Sequence, residues 1–474
     1  MAHALRFVSA LLALCSLSSC GRPAATPAIA TPSVGASTGL RRVPLGLCED
    51  YPEESRSLDE VRRDFGVLKA AGVSVLRVSI GWDGIEPEKD RYDLAFFDAF
   101  VNLAQEHGVR LIPYVAYTPR WNSDGGGSDY WKTPPRDLAE FGEIMRILAT
   151  RYRGRIHSWE LWNEPDNRDY WLGTAAQYAA LLETGAAAVH AADPQLEVVS
   201  GGLAGGVPFL RELFERASAA RAIDVVNLHS YYETWNPNPL ETIPDYVEQV
   251  SQIIRRGGGK QRLWMAEVGY SDWQGSGRAS GVTHHAYEHT ADFQATMVVR
   301  TLALLFSQPA VSLVAWYELK DPRATDAMIG DDNNRHLGIT FADYRPKPAL
   351  SALAFMNRLF ADGFRQLEPK LTVAPKRSRD LELHGFVTGH DTLVLIAWLR
   401  TRSMTVTANV ADARREQVQV TVPVAATGTP RSFDEHGRLL EAPVETNAFP
   451  DRTTLTLDIG DGEVRVVELP ITAG

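Results

Sequence analysis

Two glutamates define the chemistry open to this chain. The run Ile156-His157-Ser158-Trp159-Glu160-Leu161-Trp162 alternates like a buried strand and closes in Trp162-Asn163-Glu164-Pro165. About a hundred residues later, Arg262-Leu263-Trp264-Met265-Ala266-Glu267 is a second strand-like run that also ends in a carboxylate. Groups so far apart in sequence can meet only through the fold. Paired carboxylates across a cleft are what glycosidic cleavage requires: one acid protonates the leaving oxygen, the other attacks or serves as base. Taken alone, the tetrapeptide also fits a helix start, with Asn163 as N-cap and Pro165 in the first turn. The second glutamate, and His229-Ser230-Tyr231 between the two, favour the catalytic reading.

From about residue 43 short apolar runs alternate with longer amphipathic ones. Strands are predicted at 43–48, 74–80, 109–116, 156–162, 196–200, 224–229, 262–267 and 311–317. Helical patterns lie between most of them. Between Leu58 and Ala71, Val61, Phe65 and Leu68 share one face, Ser57 and Glu60 fit a capping box, and Gly72 fits a C-cap. Between Leu94 and His107 the apolar stripe is Phe96, Phe97, Phe100, Val101 and Ala104, with Gly108 as the stop. Strand–helix alternation repeated eight times predicts an α/β fold of the (β/α)8 TIM-barrel type. A doubly wound open sheet is the alternative, disfavoured because no Gly-rich phosphate loop follows the first strand.

After about residue 362 the pattern becomes alternating strands with turn residues, at Leu381–Phe386, Thr392–Trp398, Met404–Val410, Gln417–Val422, Thr453–Ile459 and Glu463–Leu469. This predicts a small β-sandwich with no catalytic constellation of its own. The expected organisation is a signal peptide over 1–20, a linker over 21–40, a barrel over 41–361 and the sandwich over 362–474.

The first twenty residues read as an export signal rather than as fold. Phe7–Leu17 is apolar but too short to span a bilayer. Leu17-Ser18-Ser19-Cys20 resembles a bacterial lipobox, whose cysteine is lipidated and becomes the mature N-terminus; an ordinary secretory signal is the alternative. The Pro-, Ala-, Thr-, Ser- and Gly-rich residues 21–39 suit a tether. An exported protein held to a bacterial membrane by lipid on Cys20 is the expectation, and the oligomeric state is left open. Of the three cysteines, only Cys48 then remains in the folded part, so no intrachain disulfide forms there. It reads as a small buried apolar residue. A net charge of −11 argues against nucleic acid as a partner. Trp82, Trp121, Trp131, Trp162, Trp171, Trp235, Trp273 and Trp316 fall near predicted strand ends or in loops. Their faces would suit sugar rings there, although core is the default for any single Trp.

Active sites of such barrels sit at the C-terminal strand ends. Those positions supply Arg77 and the Trp82 loop from strand two, and Tyr117-Thr118-Pro119-Arg120-Trp121 after strand three. Strand four gives Asn163 and Glu164, strand six His229 and Tyr231, strand seven Glu267, and strand eight Trp316, Glu318 and Asp321. With its Asn-Glu pair ending strand four and a Glu ending strand seven, the barrel resembles the large clan of retaining glycoside hydrolases. It looks closest to glycoside hydrolase family 39, with family 5 next. Trp316-Tyr317-Glu318-Leu319-Lys320-Asp321, His336-Leu337-Gly338 and Pro346-Lys347-Pro348-Ala349 look like the strand-eight region of these enzymes. The resemblance covers roughly residues 43 to 360. It implies Glu164 as acid/base, Asn163 as donor to the sugar 2-hydroxyl and Glu267 as nucleophile. Tyr231 and His229 would flank Glu267, Arg77 would lie beneath it, and Trp316 would form the sugar-stacking wall. Trp121, in the Trp121–Trp131 loop that could line an open cleft, is a further candidate substrate contact by its position alone.

Such a mechanism needs Glu267 ionised, so Arg77 and the Tyr231 hydroxyl should hold its pKa down, while the neighbouring charge should raise that of Glu164. Glu160 is expected to pair inside the barrel and is left out of the site. His284, His285 and His289 include an i, i+4 pair of metal-binding spacing, but the Gly/Ser-rich surroundings favour a surface loop. Asp331-Asp332-Asn333-Asn334 lacks the EF-hand spacing and reads as a turn. No metal and no cofactor is expected. The leading expectation is therefore a retaining hydrolase of an oligo- or polysaccharide. The alternatives are a non-catalytic carbohydrate-binding lipoprotein and a transglycosylase on the same barrel. The sequence separates neither the sugar nor endo from exo action.

Overall fold

The computed structural model describes residues 39–50, 57–274, 289–324, 326, 331–367, 372–374, 380–400 and 414–472. Eight parallel strands close into a barrel in sequence order: β1 (Leu45–Cys48), β2 (Val75–Gly81), β3 (Arg110–Ala116), β4 (Ser158–Leu161), β5 (Glu197–Ser200), β6 (Val225–Ser230), β7 (Arg262–Val268) and β8 (Val311–Trp316). The predicted barrel strands are all present. The open-sheet alternative fails because β1 pairs with both β2 and β8.

The helices pack outside the barrel: α1 (Leu58–Ala71), α2 (Trp82–Ile85), α3 (Ala95–Glu106), α4 (Leu138–Arg151), α5 (Ala175–Ala192), α6 (Val207–Glu215), α7 (Ala217–Ala222), α8 (Ile243–Arg256), α9 (Ala291–Phe306) and α10 (Pro348–Phe360). Helix α1 starts where Ser57 accepts from the Glu60 amide and stops where Gly72 turns left-handed at φ 69°. Both ends follow from local chemistry: an oxygen that satisfies an orphan amide, and a residue without Cβ at a positive φ.

Alternation along each strand sorts side chains into two compartments. Cys48, Val75, Ile112, Val199, Val225, Trp264, Ala266, Leu313 and Ala315 fill the barrel interior. Leu47, Leu76, Val78, Ile80 and Val314 instead face the helices. Cys48 is buried and free, as expected for a small core residue, and its thiol donates to the Ala266 carbonyl at 3.1 Å.

Beyond α10 the chain forms two antiparallel sheets, from β9 (Phe364–Gln366), β10 (Thr372–Ala374), β11 (Leu381–Thr388), β12 (Thr392–Leu399), β13 (Arg415–Val422), β14 (Arg431–Phe433), β15 (Glu445–Ala448), β16 (Thr453–Gly460) and β17 (Val464–Pro470). Their orders are β10-β13-β16-β15 and β14-β17-β12-β11-β9, which makes the β-sandwich. The short β9, β10, β14 and β15 carry too few residues for a readable alternation. The strand expected at Met404–Val410 lies outside the described residues, as do Cys20, the linker up to residue 38, His284 and His285.

Candidate active site

The barrel interior turns from apolar to charged toward its C-terminal end, and Arg77 stands at the transition. Its Nε and Nη2 donate to the two oxygens of Glu160, each at 2.8 Å. Nη2 also reaches Asn163 Oδ1 at 2.8 Å, and Nη1 reaches Glu267 Oε2 at 2.8 Å. The guanidinium lies 4.5 Å from the centroid of Tyr114. One cation is thus fixed by three polar side chains and an aromatic face, the planar fork matching what Arg supplies and Lys does not. Glu160 also accepts from the Gly202 amide at 2.9 Å and from Asn227 Nδ2 at 3.0 Å, so it pairs within the interior.

Two irregularities aim the catalytic-type carboxylates. With Trp264 and Ala266 inside, strict alternation would send Glu267 outward. The β6–β7 register slips between Asn227 and His229, and the β7–β8 register between Met265 and Val268. A bulge of this kind re-aims a side chain, and Glu267 turns into the barrel beside His229. On β4 the regular strand ends at Leu161. Trp162 then adopts φ 81° and Glu164 φ 44°, left-handed values that cost non-glycine residues energy and cluster at functional sites. Trp162 is held there by its indole bond to the Tyr170 carbonyl at 3.1 Å. The next helix does not begin until Ala175, so Asn163 is no helix cap.

Glu164 and Glu267 meet. One oxygen of each, with a ring nitrogen of His229, lie within 4.8 Å of one another. His229 Nδ1 is 3.0 Å from Glu164 Oε1 and 3.4 Å from Glu267 Oε2. Asn167 Nδ2 donates to Glu164 at 2.8 Å, and the Tyr231 hydroxyl donates to Glu267 at 2.5 Å. These three atoms have the spacing of metal ligands. Arg77, however, already places a positive charge on Glu267, which opposes a dication there.

Burial dominates the electrostatics. It pushes Glu267 up to about 7, although the Arg77 charge and the Tyr231 bond both pull the other way. The expected downward pull is there, but desolvation outweighs it. Glu164 rises further, well above the usual carboxylate range, through burial, then the charge of Glu267 and that of Asp166. Burial and then the Arg77 charge hold His229 well below its usual value, hence neutral. Burial, then the Glu267 charge, raise Tyr231 well above its usual value, so it remains a donor. The resulting pair is asymmetric: a proton on Glu164, and a carboxylate at Glu267 once the pH passes about 7.

Trp316 does not face the site, contrary to expectation. Leu313, Ala315 and Tyr317 line the barrel interior, so alternation turns Trp316 outward, 1 % exposed, among the residues that pack the helical layer. No sugar can stack on it. Tyr317 holds the inward position, its hydroxyl 3.4 Å from Asp50. Of the eight tryptophans expected near the mouth, only Trp121 and Trp131 are partly exposed; the other six are core. Trp121 donates to the Glu86 carbonyl at 2.9 Å. Glu318 is fully buried, and Asp321 is committed to Lys347 and the Gly338 amide at 2.8 and 2.9 Å. His289 is buried against Tyr270, with Nδ1 3.1 Å from the Ser271 carbonyl. Asp331 caps a 3-10 turn, Asp332–Arg335.

Sequence reasoning passed over Asn227, Tyr114, Asp50, Asn167 and Asp166. Alternation on the assigned strands would have marked Asn227 and Tyr114 as inward polar positions. The other three follow strands or sit in turns, where no periodicity points.

The chain is thus an eight-stranded parallel barrel with an asymmetric pair of carboxylates at its C-terminal strand ends. The chain belongs to glycosyl hydrolases family 39, whose profile matches residues 37–435. Among curated proteins it is 26% identical over 252 residues to a β-xylosidase of Geobacillus stearothermophilus, covering 46% of this chain and 49% of that protein. It is 26% identical over 162 residues to endo-1,4-β-xylanase A of Phanerodontia chrysosporium, covering 32% and 35%. The matched stretches thus span between about a third and a half of these relatives. Among solved structures, a family 39 glycoside hydrolase from Bacteroides cellulosilyticus has a TM-score of 0.68 at 18% identity, covering 90% of this chain and 81% of that one. A monomeric β-xylosidase from Caulobacter crescentus has a TM-score of 0.64 at 16% identity, covering 91% and 96%. At these identities the structural likeness shows the fold.

Proposed function

We propose that this chain hydrolyses O-glycosidic bonds by double displacement with retention, and that xylosides are its substrate class. The observation that carries the mechanism is the separation of the two carboxylates. Oxygens of Glu164 and Glu267 lie no more than 4.8 Å apart, short of the roughly 6.5–9.5 Å that leaves room for water in inverting pairs and compatible with the roughly 5–5.5 Å between the carboxyl groups of retaining ones. The substrate class is supported by the names of the relatives, most of which are xylosidases or xylanases.

In this reading Glu267 attacks the anomeric carbon while Glu164 gives its proton to the leaving oxygen. The glycosyl ester removes the negative charge of Glu267, so the Glu164 pKa falls and the residue becomes the base that takes a proton from water. Water then bonds to the anomeric carbon, the ester bond breaks, and Glu267 leaves as a carboxylate. Asn163 turns its carbonyl oxygen to Arg77, which leaves its amide to donate to the 2-hydroxyl as positive charge develops on the sugar.

Replacing Glu267 with Ala should lower turnover of an aryl β-xyloside by several orders of magnitude. Azide should restore part of it, giving a glycosyl azide of inverted configuration. Full activity in Glu267→Ala sinks the mechanism; intact sugar binding without turnover in the native chain would mark a binding protein. Product analysis with an added acceptor sugar separates hydrolysis from transglycosylation.

For the N-terminal region we propose export and lipid attachment at Cys20, on the strength of Leu17-Ser18-Ser19-Cys20 after an apolar run. In a bacterial host, Cys20→Ser should abolish metabolic labelling by an alkyne fatty acid and release the protein from the membrane fraction. Labelling that survives the substitution overturns this.

A further inference from the structure

The geometry points to a role for the β-sandwich in positioning the nucleophile: through Trp398, Glu241 and Glu233 it fixes the turn that presents the Tyr231 hydroxyl to Glu267. The inference rests on the reading of Glu267 as nucleophile. The turn follows β6 directly. The amides of Thr234, Trp235 and Asn236 all donate to the Tyr231 carbonyl, at 3.2, 3.1 and 2.9 Å, so the root of the tyrosine is set by the shape of this loop. Its ring is braced by Trp235 at 4.8 Å between centroids.

Glu233 shapes the loop. Its φ of 57° is left-handed, a conformation that a glutamate keeps only when its surroundings hold it. The holding bonds are its own amide to the Asn236 carbonyl at 2.9 Å, and the Leu240 amide to its Oε1, also at 2.9 Å. The second bond staples the turn to the 3-10 segment Leu240–Thr242 ahead of α8. Glu241 in that segment accepts the indole N–H of Trp398 at 2.8 Å. Trp398 lies on β12 of the sandwich, fully buried and stacked on His384 at 5.2 Å. Arg300 of α9 stands beside the same group, 5.9 Å from the Trp398 ring and within electrostatic reach of Glu233. A continuous path of hydrogen bonds and backbone thus leads from the second domain to the donor on Glu267.

Glu233 and Trp398 are positioning residues by this account, since neither touches Glu267. The groups that face Glu267 are Arg77, Glu160, Glu164, His229, Tyr231, Asp50 and the Cys48 thiol, and none is altered by changing Glu233 or Trp398. Loosening the Tyr231 donor should therefore act on the acidic limb of kcat/KM, where Glu267 titrates. A hydrogen bond to a carboxylate is worth about one pKa unit or more, so Tyr231→Phe should move that limb up by roughly that amount. Glu233→Ala should move it the same way by about half a unit, Trp398→Phe by less, and Glu233→Gln, which keeps the acceptor, should restore the native limb. Added to Tyr231→Phe, Glu233→Ala should shift nothing further, because both act through one bond.

The measurement is the pH dependence of kcat/KM on an aryl β-xyloside, with thermal melting to confirm folding. Limbs unchanged in Glu233→Ala and in Trp398→Phe, with only the active fraction reduced, overturn the inference; Trp398→Phe alone decides if Glu233→Ala fails to fold. An inactive Glu267→Ala alongside unmoved limbs means the positioning role fails while the hydrolase reading stands. An active Glu267→Ala brings down both.

Discussion

Glu164 and Glu267 share one water-poor chamber, and each charge there raises the proton affinity of the other. Their neighbours decide which keeps the proton. Arg77 and Tyr231 donate to Glu267, while Glu164 receives one amide from Asn167 and sits near Asp166. The pH profile follows with a definite sign. Glu267 is raised to about 7, so below that pH it binds a proton and, in the proposed mechanism, can no longer act as nucleophile. Glu164 lies well above the ordinary range, so its proton is lost only at higher pH. The expected kcat/KM rises through about pH 7 and falls on the alkaline side. A profile already flat from pH 4 to 6 would show that the donors outweigh burial. Arg77 could be read in the sequence as a buried cation at a strand end, yet its fork to Glu160, Asn163 and Glu267 could not, because β2 supplies the cation while β4 and β7 supply its partners.

The elements explain why those atoms converge. Strands announced themselves by apolar runs and helices by their stripes and stops, so β1 to β8 and α1 were legible. The side each residue faces was legible only while alternation held. It held on β8, and applying it there would have turned Trp316 to the helices and Tyr317 to the site. It failed on β7, where the register slip brings Glu267 inward after Ala266. Close approach between elements is equally invisible in sequence. A Cβ on Gly202, in the loop after β5, would lie 1.8 Å from His229 Nε2. Gly202→Ala must displace that imidazole, which touches both carboxylates. A misplacement of this size can cost on the order of a hundredfold in rate, and overpacking about 1–3 kcal/mol in stability. Steady-state kinetics and melting measure the two effects; native kcat in the variant would show that His229 is dispensable.

At the scale of the whole molecule one face of the sandwich is packed into the barrel's apolar cluster, while the sandwich also keeps a core of its own around Leu383, Leu395, Val420, Leu457 and Val467. Phe386, Val394, Ile396, Trp398, Phe433, Val464 and Val466 belong to the same apolar cluster as Phe306, Phe360 and Phe364. Polar contacts cross the same boundary, from His384 to Ser307 at 2.8 Å and from Arg358 to Glu468 at 2.9 Å. A chain ending at residue 361 would expose a continuous apolar face, of the kind that drives aggregation. Its soluble yield should collapse relative to the full chain, and a monodisperse barrel-only product with the native melting temperature would refute this. The sequence showed a change of periodicity near residue 362 but not that the two parts join through a shared apolar face, since burial between distant segments leaves no period.

Sequence by itself determined the barrel, the sandwich and the two glutamates, because strand and helix periods and chain punctuation are local properties that each segment carries alone. The tertiary structure decided the rest: the register slips that turn Glu267 inward, the left-handed backbone at Trp162 and Glu164, the Arg77 fork, and the outward Trp316. Each of these depends on which strand lies beside which and in what register, and pairing energy is shared between segments far apart in the chain.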